Sequence, residues 1–193
     1  MTSVNNLLRQ SLAGLRAMLV LTVLLGVLYP AAVWAVGQVA ARDQAAGSLV
    51  SVDGAVVGSS LLGQGWTGAE WFHSRPSASD YAGDTSGGTN LGPGPDLQSE
   101  VQTRAEAAGL PVGSAPADAL TASGSGLDPN ITPAYAAAQV ERVAAARGVD
   151  AARIRQLVSD HTQERMLGFL GQPRVDVLGL NLALARLAAP SAG

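Results

Sequence analysis

Two serines and two histidines come nearest to a nucleophilic site in this chain. Ser123 and Ser125 lie in TASGSGLDPNITP, residues 121–133, where hydroxyls and glycines are followed by Asp128 and Pro129. Small polar residues among glycines permit close backbone approach and sharp turns, so they serve a phosphate cradle, a catalytic loop or a rigid binding surface. As a nucleophile elbow the stretch fails on spacing, because glycines flank Ser125 directly and not two positions away. The available bases are His73, beside Trp71 and Phe72, and His161, at the end of an expected helix. A membrane-anchored envelope enzyme using Ser123 or Ser125 with His161 is therefore the enzymatic alternative. Against it, His161 is placed to complete the negative end of that helix, and His73 to hydrogen bond within an aromatic layer.

The other chemical candidates are weaker. GQGWTG, residues 63–68, matches GxGxxG, but a phosphate site of that kind needs a strand before it and a helix after it, and Pro76 and further glycines follow. Glu141 with Arg142 and Glu164 with Arg165 have the pattern of solvated charges. Two histidines and no cysteine supply neither a three- or four-ligand metal site nor a thiol nucleophile. The residues thus point to no catalytic site and to no metal or cofactor of the chain's own. A net charge of -3, with every cation an arginine and no basic cluster, gives no footprint for nucleic acid.

The elements that position these residues begin with a membrane span. Residues 17–41 contain no charge, enough as a helix to cross the roughly 30 Å hydrocarbon core. Pro30 inside the span predicts a kink over residues 26–30, tolerated where a neighbouring helix or a local adjustment satisfies the freed carbonyl. Arg9 and Arg16 precede the span and only Arg42, beside Asp43, follows closely, which predicts a cytoplasmic N-terminus (1–16), a span (17–40) and an extracytoplasmic domain (41–193). A cleaved signal peptide is the rival reading, but the uncharged run outlasts the 7 to 15 residues of such a region.

Beyond the span, Asp53-Gly54 between two β-prone runs predicts a hairpin over 47–58. Residues 59–95, rich in Gly, Ser, Pro and Asn yet holding Trp66, Trp71, Phe72 and Tyr81, predict an ordered irregular layer. Four helices follow: 96–108; one capped by Thr132, with Pro133 at its first position, and ended by Gly148; one capped by Asp150, with Val149 and Ile154 as a hydrophobic staple; and one from Val175-Asp176 to Leu187. Residues 161–174, including MLGFL at 166–170, are expected to be a strand or extended segment joining the hairpin's sheet. The fold class is α+β, helices packed on a small sheet, with one N-terminal transmembrane helix.

Several strings then speak together: FHSRPSA at 72–78, SGGTNLGP at 86–93, TASGSGLDP at 121–129, and HT..R.LGFLG.PRV.VL.LNLAL at 161–184, with GVLYP at 26–30 and VVGSSLLGQ at 56–64. In this order, through nearly the whole chain, they closely resemble the C subunit of the bacterial Kdp-type potassium-transporting ATPase. Asn130 departs from a frequent histidine, which puts a role for that histidine in doubt. Gly65-Trp66 departs from Pro-Phe, and the segment before Thr121 is short and alanine-rich. The resemblance implies a non-catalytic subunit assembled with a potassium-translocating A subunit, an ATP-hydrolysing B subunit and a small single-span F subunit in the cell membrane. It further implies a role as a catalytic chaperone that raises the ATP affinity of the hydrolysing subunit, while ATP and potassium are handled by the complex. On this reading the glycine-rich stretches are shaped binding loops. Thr89, Asn90, Ser123, Ser125 and Asp128 fix their turns, Arg75 pairs with Asp128 or Asp80, and Pro30 shapes packing of the span.

Overall fold

The structure, a computed structural model, describes residues 2–187. It divides into two compact units, Met1–Leu49 and Val50–Gly193. In the first, helix α1 (Thr2–Val23) runs through a π-helical turn (Leu24–Leu28) into α2 (Tyr29–Ala40), followed by the short α3 (Arg42–Ala45). The stretch Val4–Ala40 is long and apolar enough to cross a membrane, and none of its most apolar window is buried within the chain. A soluble protein's core helix would be covered; this one offers its apolar surface outward.

The π turn sits where Pro30 requires a departure from α geometry. Proline has no N–H to donate, and in a regular α turn its ring crowds the carbonyl four residues back, here that of Gly26. The backbone widens just ahead of it: Tyr29 donates to the Leu24 carbonyl, five residues back. This is the local adjustment that accommodates proline inside a membrane helix.

The second unit holds the α+β domain. Strands β1 (Leu49–Val52) and β2 (Ala55–Ser59) form the expected hairpin, with Asp53 and Gly54 both at positive φ (52° and 82°), as a two-residue turn demands. Residues 60–94 carry no helix or strand. Helix α4 (Pro95–Ala108) follows, then the short α5 (Ala117–Leu120), β3 (Asn130–Ile131), α6 (Pro133–Arg147), α7 (Ala151–Asp160), β4 (Thr162–Gln163), β5 (Arg174–Asp176) and α8 (Val177–Arg186). Left-handed glycines, Gly109 and Gly148, terminate α4 and α6.

The helix starts are locally encoded. Thr132 accepts from the Tyr135 N–H, Asp150 from Ala152, and Asp176 from both Leu178 and Gly179, each satisfying donors that a first helical turn leaves orphaned. Burial of the face behind each cap supplies the core: Ala136, Val140 and Val143 from α6, Ile154 and Val158 from α7, Leu180 and Leu184 from α8, with Ile131 and Val175 from the sheet.

One expectation is corrected. Residues 161–174 do not join the β1–β2 sheet. β4 and β5 pair antiparallel with each other, and β3 pairs with β5, giving a separate three-stranded sheet in the order β3-β5-β4. Between them the chain folds back on itself: Met166 and Leu170 exchange main-chain hydrogen bonds of 3.0 and 2.9 Å around residues 167–169. The reversal follows from Leu167 and Gly168, both left-handed (φ 54° and 81°), which turn the strand back onto its own continuation. Pairing with a sequence neighbour also closes a far shorter loop than pairing with β1–β2. Leucine is disfavoured at that φ by about 1–2 kcal/mol.

Candidate functional site

The strings at 56–64, 72–78, 86–93 and 121–129 converge on one layer. Its floor is an extended segment, residues 71–74, held by two amide side chains from the core helices. Asn181 of α8, fully buried, accepts from the Phe72 N–H and donates to the Phe72 carbonyl, both at 2.9 Å. Gln139 of α6 does the same for His73, accepting from its N–H at 2.7 Å and donating to its carbonyl at 3.2 Å. Each amide thus supplies what a neighbouring β-strand would, so an irregular segment can lie against the core without orphaned main-chain groups.

Two arginines of α6 extend the hold. Arg142 donates to the carbonyls of Ala69 (2.7 Å) and Trp71 (3.0 Å) and to the Gln139 side chain (2.6 Å). Arg147 donates to the Glu70 carbonyl at 2.9 Å and lies 4.3 Å over the Trp71 ring, a cation–π contact. Arg142 is therefore a half-buried cross-link, not the solvated charge its pairing with Glu141 predicted; Glu141 instead meets Arg155.

Above this floor lies the loop of residues 121–130. Ser123 donates its N–H to the Pro76 carbonyl (3.0 Å), Gly87 to Ser125 (2.9 Å) and Gly63 to Leu127 (2.8 Å). The Ser77 hydroxyl donates to the Gly126 carbonyl at 2.6 Å, and the Ser86 hydroxyl to the Ser125 carbonyl at 3.1 Å. A Cβ at Gly63 would collide with the Asp128 carbonyl, and one at Gly126 with Ser79 and the Gly87 carbonyl. The glycines therefore serve backbone-to-backbone contact within the domain. Since Gly63 of the GxGxxG match is engaged in this way and no helix follows it, the match is no phosphate loop.

The site residues fall into two groups. Arg75 pairs with Asp128 at 3.2 Å, of the two partners expected for it, and Asp128 also accepts from the Asn130 N–H. An ion pair this exposed is worth at most about 1 kcal/mol; it sets the register of two loops more than it stabilises them. Ser123 is buried, and its hydroxyl lies 3.4 Å from that of Ser125, which accepts from the Leu127 N–H. Thr89 and Asn90 are exposed and, among the described residues, their side chains make no such turn-fixing bonds; Asn90 holds its turn by a left-handed φ of 54°.

The histidines stand apart from the serines. His161 caps α7, its Nδ1 2.9 Å from the Leu157 carbonyl, while His73 Nε2 lies 2.8 Å from the Gly68 carbonyl. Burial lowers the His73 pKa, with the Arg142 cation pushing the same way against the Gly68 carbonyl. Burial raises Asp176, opposed by the N–H groups of Gly179 and Leu178 and by His161, and lifts the Tyr135 phenol to about 12. Among the described residues, no group of three or more His, Cys, Asp or Glu is arranged to hold a metal.

The clamps were missed from sequence because their partners are remote. A signal existed: Asn181 interrupts the apolar stripe of α8, and Gln139 sits on the buried face of α6. A polar residue at a core position must have a partner.

A helix long and apolar enough to span a membrane and an α+β domain whose polar groups bind its own backbone define the class: an α+β protein with one N-terminal transmembrane helix. The family model described as K+-transporting ATPase, c chain (KdpC) matches residues 11–186. The Potassium-transporting ATPase KdpC subunit of Kineococcus radiotolerans is 51% identical, covering 97% of this chain and 98% of its own. That of Cereibacter sphaeroides strain ATCC 17023 is 51% identical over 92% and 95%, and that of Streptomyces coelicolor 45% over 100% and 99%. The chain belongs to the KdpC family, the c-chain subunits of potassium-transporting ATPases.

Proposed function

We propose that this chain is a non-catalytic accessory subunit of a high-affinity, ATP-driven potassium-uptake complex, which it stabilises and in which it raises the ATP affinity of the hydrolysing subunit. The observation that carries this reading is family membership over residues 11–186, in a chain whose serines and histidines are engaged with its own loops and helix ends. The partners are the potassium-translocating A subunit, the ATP-hydrolysing B subunit, the small F subunit and the lipid bilayer. The chain has no cofactor of its own; ATP and potassium are handled by the complex. Its N-terminus is cytoplasmic, and residues 41–193 lie outside.

That orientation puts the domain on the side without ATP. Its influence on the nucleotide is then a coupling free energy passed through neighbouring membrane helices, typically about 1–3 kcal/mol or roughly 5- to 150-fold. The π turn before Pro30 shapes the packing of the span in that bundle. On the outer side Thr89 and Asn90 face the translocating subunit, while Arg75, Asp128, Ser123 and Ser125 keep that surface in shape.

Affinity isolation from mild detergent, with identification of the co-purifying chains, tests the assembly; isolation of this chain alone, or of a form trimmed after the helix and freely soluble, overturns it. ATP titration of the complex with and without the chain tests the coupling. Linkage adds a second arm: whatever factor the chain contributes to ATP affinity, ATP must return to the chain's retention in the complex. Equal ATP affinities refute the coupling. Combining Asn90→Ala and Asp128→Ala separates the loops' roles, since a complex with full retention and transport leaves them a structural part only. Protease access in cells and inverted vesicles checks the sidedness.

A further inference from the structure

We infer that the tip of the β4–β5 hairpin, residues 166–170, is a plug that seats in an apolar pocket on another subunit of the transport ATPase, an inference that rests on the accessory-subunit reading above. Met166, Leu167, Phe169 and Leu170 are 64%, 76%, 69% and 47% exposed. Their backbone is already closed: Met166 and Leu170 pair, Gly168 donates to the Arg165 carbonyl at 3.0 Å and Phe169 to that of Met166 at 3.3 Å. None of the four belongs to the domain's core or packs against it. The apex residue, Leu167, is held at a φ of 54°, where glycine or asparagine is favoured. A solvated leucine side chain adds no packing to the domain, and a strained outlier of this kind points to a use outside it.

Area and charge select the occupant. Taking roughly 200 Å² for a fully exposed side chain of this size, the tip presents on the order of 500 Å² of apolar surface, the range in which such patches mark interaction sites. A stable interface between separate molecules needs about 800 Å² from each partner, so the tip alone falls short of self-association. It suffices for a chain already co-assembled in the membrane, where the contact forms at high effective concentration.

The surroundings carry charge of both signs. Next to the base of the tip, a shallow cleft of about 270 Å³ has Arg75, Asp118, Asp128, Gln172, Pro173 and Arg174 among its lining residues. Beside the tip stand Glu164 and Arg165, both exposed. Arg75 is already paired with Asp128, and the two arginines beside the tip, Arg165 and Arg174, are offset by exposed Glu164 and by the buried carboxylate of Asp118. An anionic lipid surface selects a net cationic patch; an apolar centre with a balanced polar rim is the anatomy of a protein contact. The cleft brings the strand that follows the tip, through Gln172–Arg174, against the Arg75–Asp128 pair of the loop layer.

The strain at Leu167 supplies the test. The double variant Leu167→Gly with Phe169→Ser relieves the backbone and removes the apolar apex. In the full-length chain in detergent, it is expected to melt at or above the unsubstituted temperature, yet to retain at least tenfold less of the other ATPase subunits during affinity isolation. Because the chain has no cysteine, Phe169→Cys can carry a single environment-sensitive fluorophore. Its emission should shift to the blue in the assembled complex and stay water-like when the chain alone is placed in phosphatidylethanolamine–phosphatidylglycerol vesicles.

Unchanged retention by the double variant overturns the inference, as does loss of partners accompanied by a lower melting temperature, which would assign the tip to the fold. A blue shift in vesicles without partners assigns the tip to the bilayer, and one that grows with the concentration of the chain alone assigns it to a second copy; either overturns the inference. If the unsubstituted chain retains no ATPase subunit, the accessory-subunit reading itself fails and takes this one with it, an outcome distinct from a defect confined to the variant.

Discussion

Replacing Asn181 with alanine removes the main support of the loop layer at one point. Its side chain is fully buried and satisfies both main-chain groups of Phe72, itself fully buried. Two lost hydrogen bonds account for about 1 kcal/mol each, and the stranded N–H and carbonyl for about 1–3 kcal/mol each when no water reaches them. These terms overlap, so a loss of about 4 kcal/mol is expected. For a chain of this length, each kcal/mol lowers the melting temperature by roughly 2–4 °C, which gives a drop of about 8–16 °C. The assay should follow the near-ultraviolet signal of Trp66 and Trp71, packed at 5.2 Å between centroids, in the full-length chain in detergent. Far-ultraviolet ellipticity would be dominated by the long N-terminal helix. A shift within about 3 °C for Asn181→Ala would mean that Phe72 finds other partners, and the clamp argument would fail.

Two further outcomes follow from the geometry. Gly126→Ala forces a Cβ into Ser79 and the Gly87 carbonyl at a φ of 71°, and should cost about 2–3 kcal/mol. Gly124→Ala, with nothing within 4 Å, should stay within about 0.5 kcal/mol; equal effects in parallel thermal melts would refute the contact. His73 has a folded pKa depressed below 6.5 by burial, so the stability it contributes is complete above pH 6.5 and is lost as pH falls through the folded value. Melting temperatures recorded from pH 7 downward should therefore fall more steeply for the unsubstituted chain than for His73→Gln, and parallel profiles would contradict the assignment.

What the sequence revealed and what it hid divide along contact range. The Asp53-Gly54 turn, the caps at Thr132 and Asp150, the helix start at Val175-Asp176 and the glycine stop at 148 are read correctly, because each is decided by residues within four positions of one another. The clamps that order residues 71–74 join positions far apart in the chain, Asn181 to Phe72 and Gln139 to His73, and no local pattern announces such a pair. The segment 161–174 was misplaced for a related reason. Its apolar run fits a strand, but the Leu167-Gly168 pair makes a turn, and a leucine at positive φ is a choice local propensity does not anticipate. Family strings located the loop layer better than periodicity did, since 59–94 has none.

The two outward features of the domain are built on opposite principles. In the loop layer the main chain of residues 71–74, Pro76 and Gly87 is tied to the core helices or to the 121–130 loop, so these backbones are ordered before any partner arrives, and less ordering entropy remains to be lost on contact. The hairpin tip is instead apolar, peripheral and strained, which is costly for a free protein but consistent with a chain that works only in an assembly. In the proposed assembly a single membrane helix would reconcile them: a domain confined beside its partners could be held by a small apolar anchor and a preformed polar surface, without the large interface that two freely diffusing proteins need.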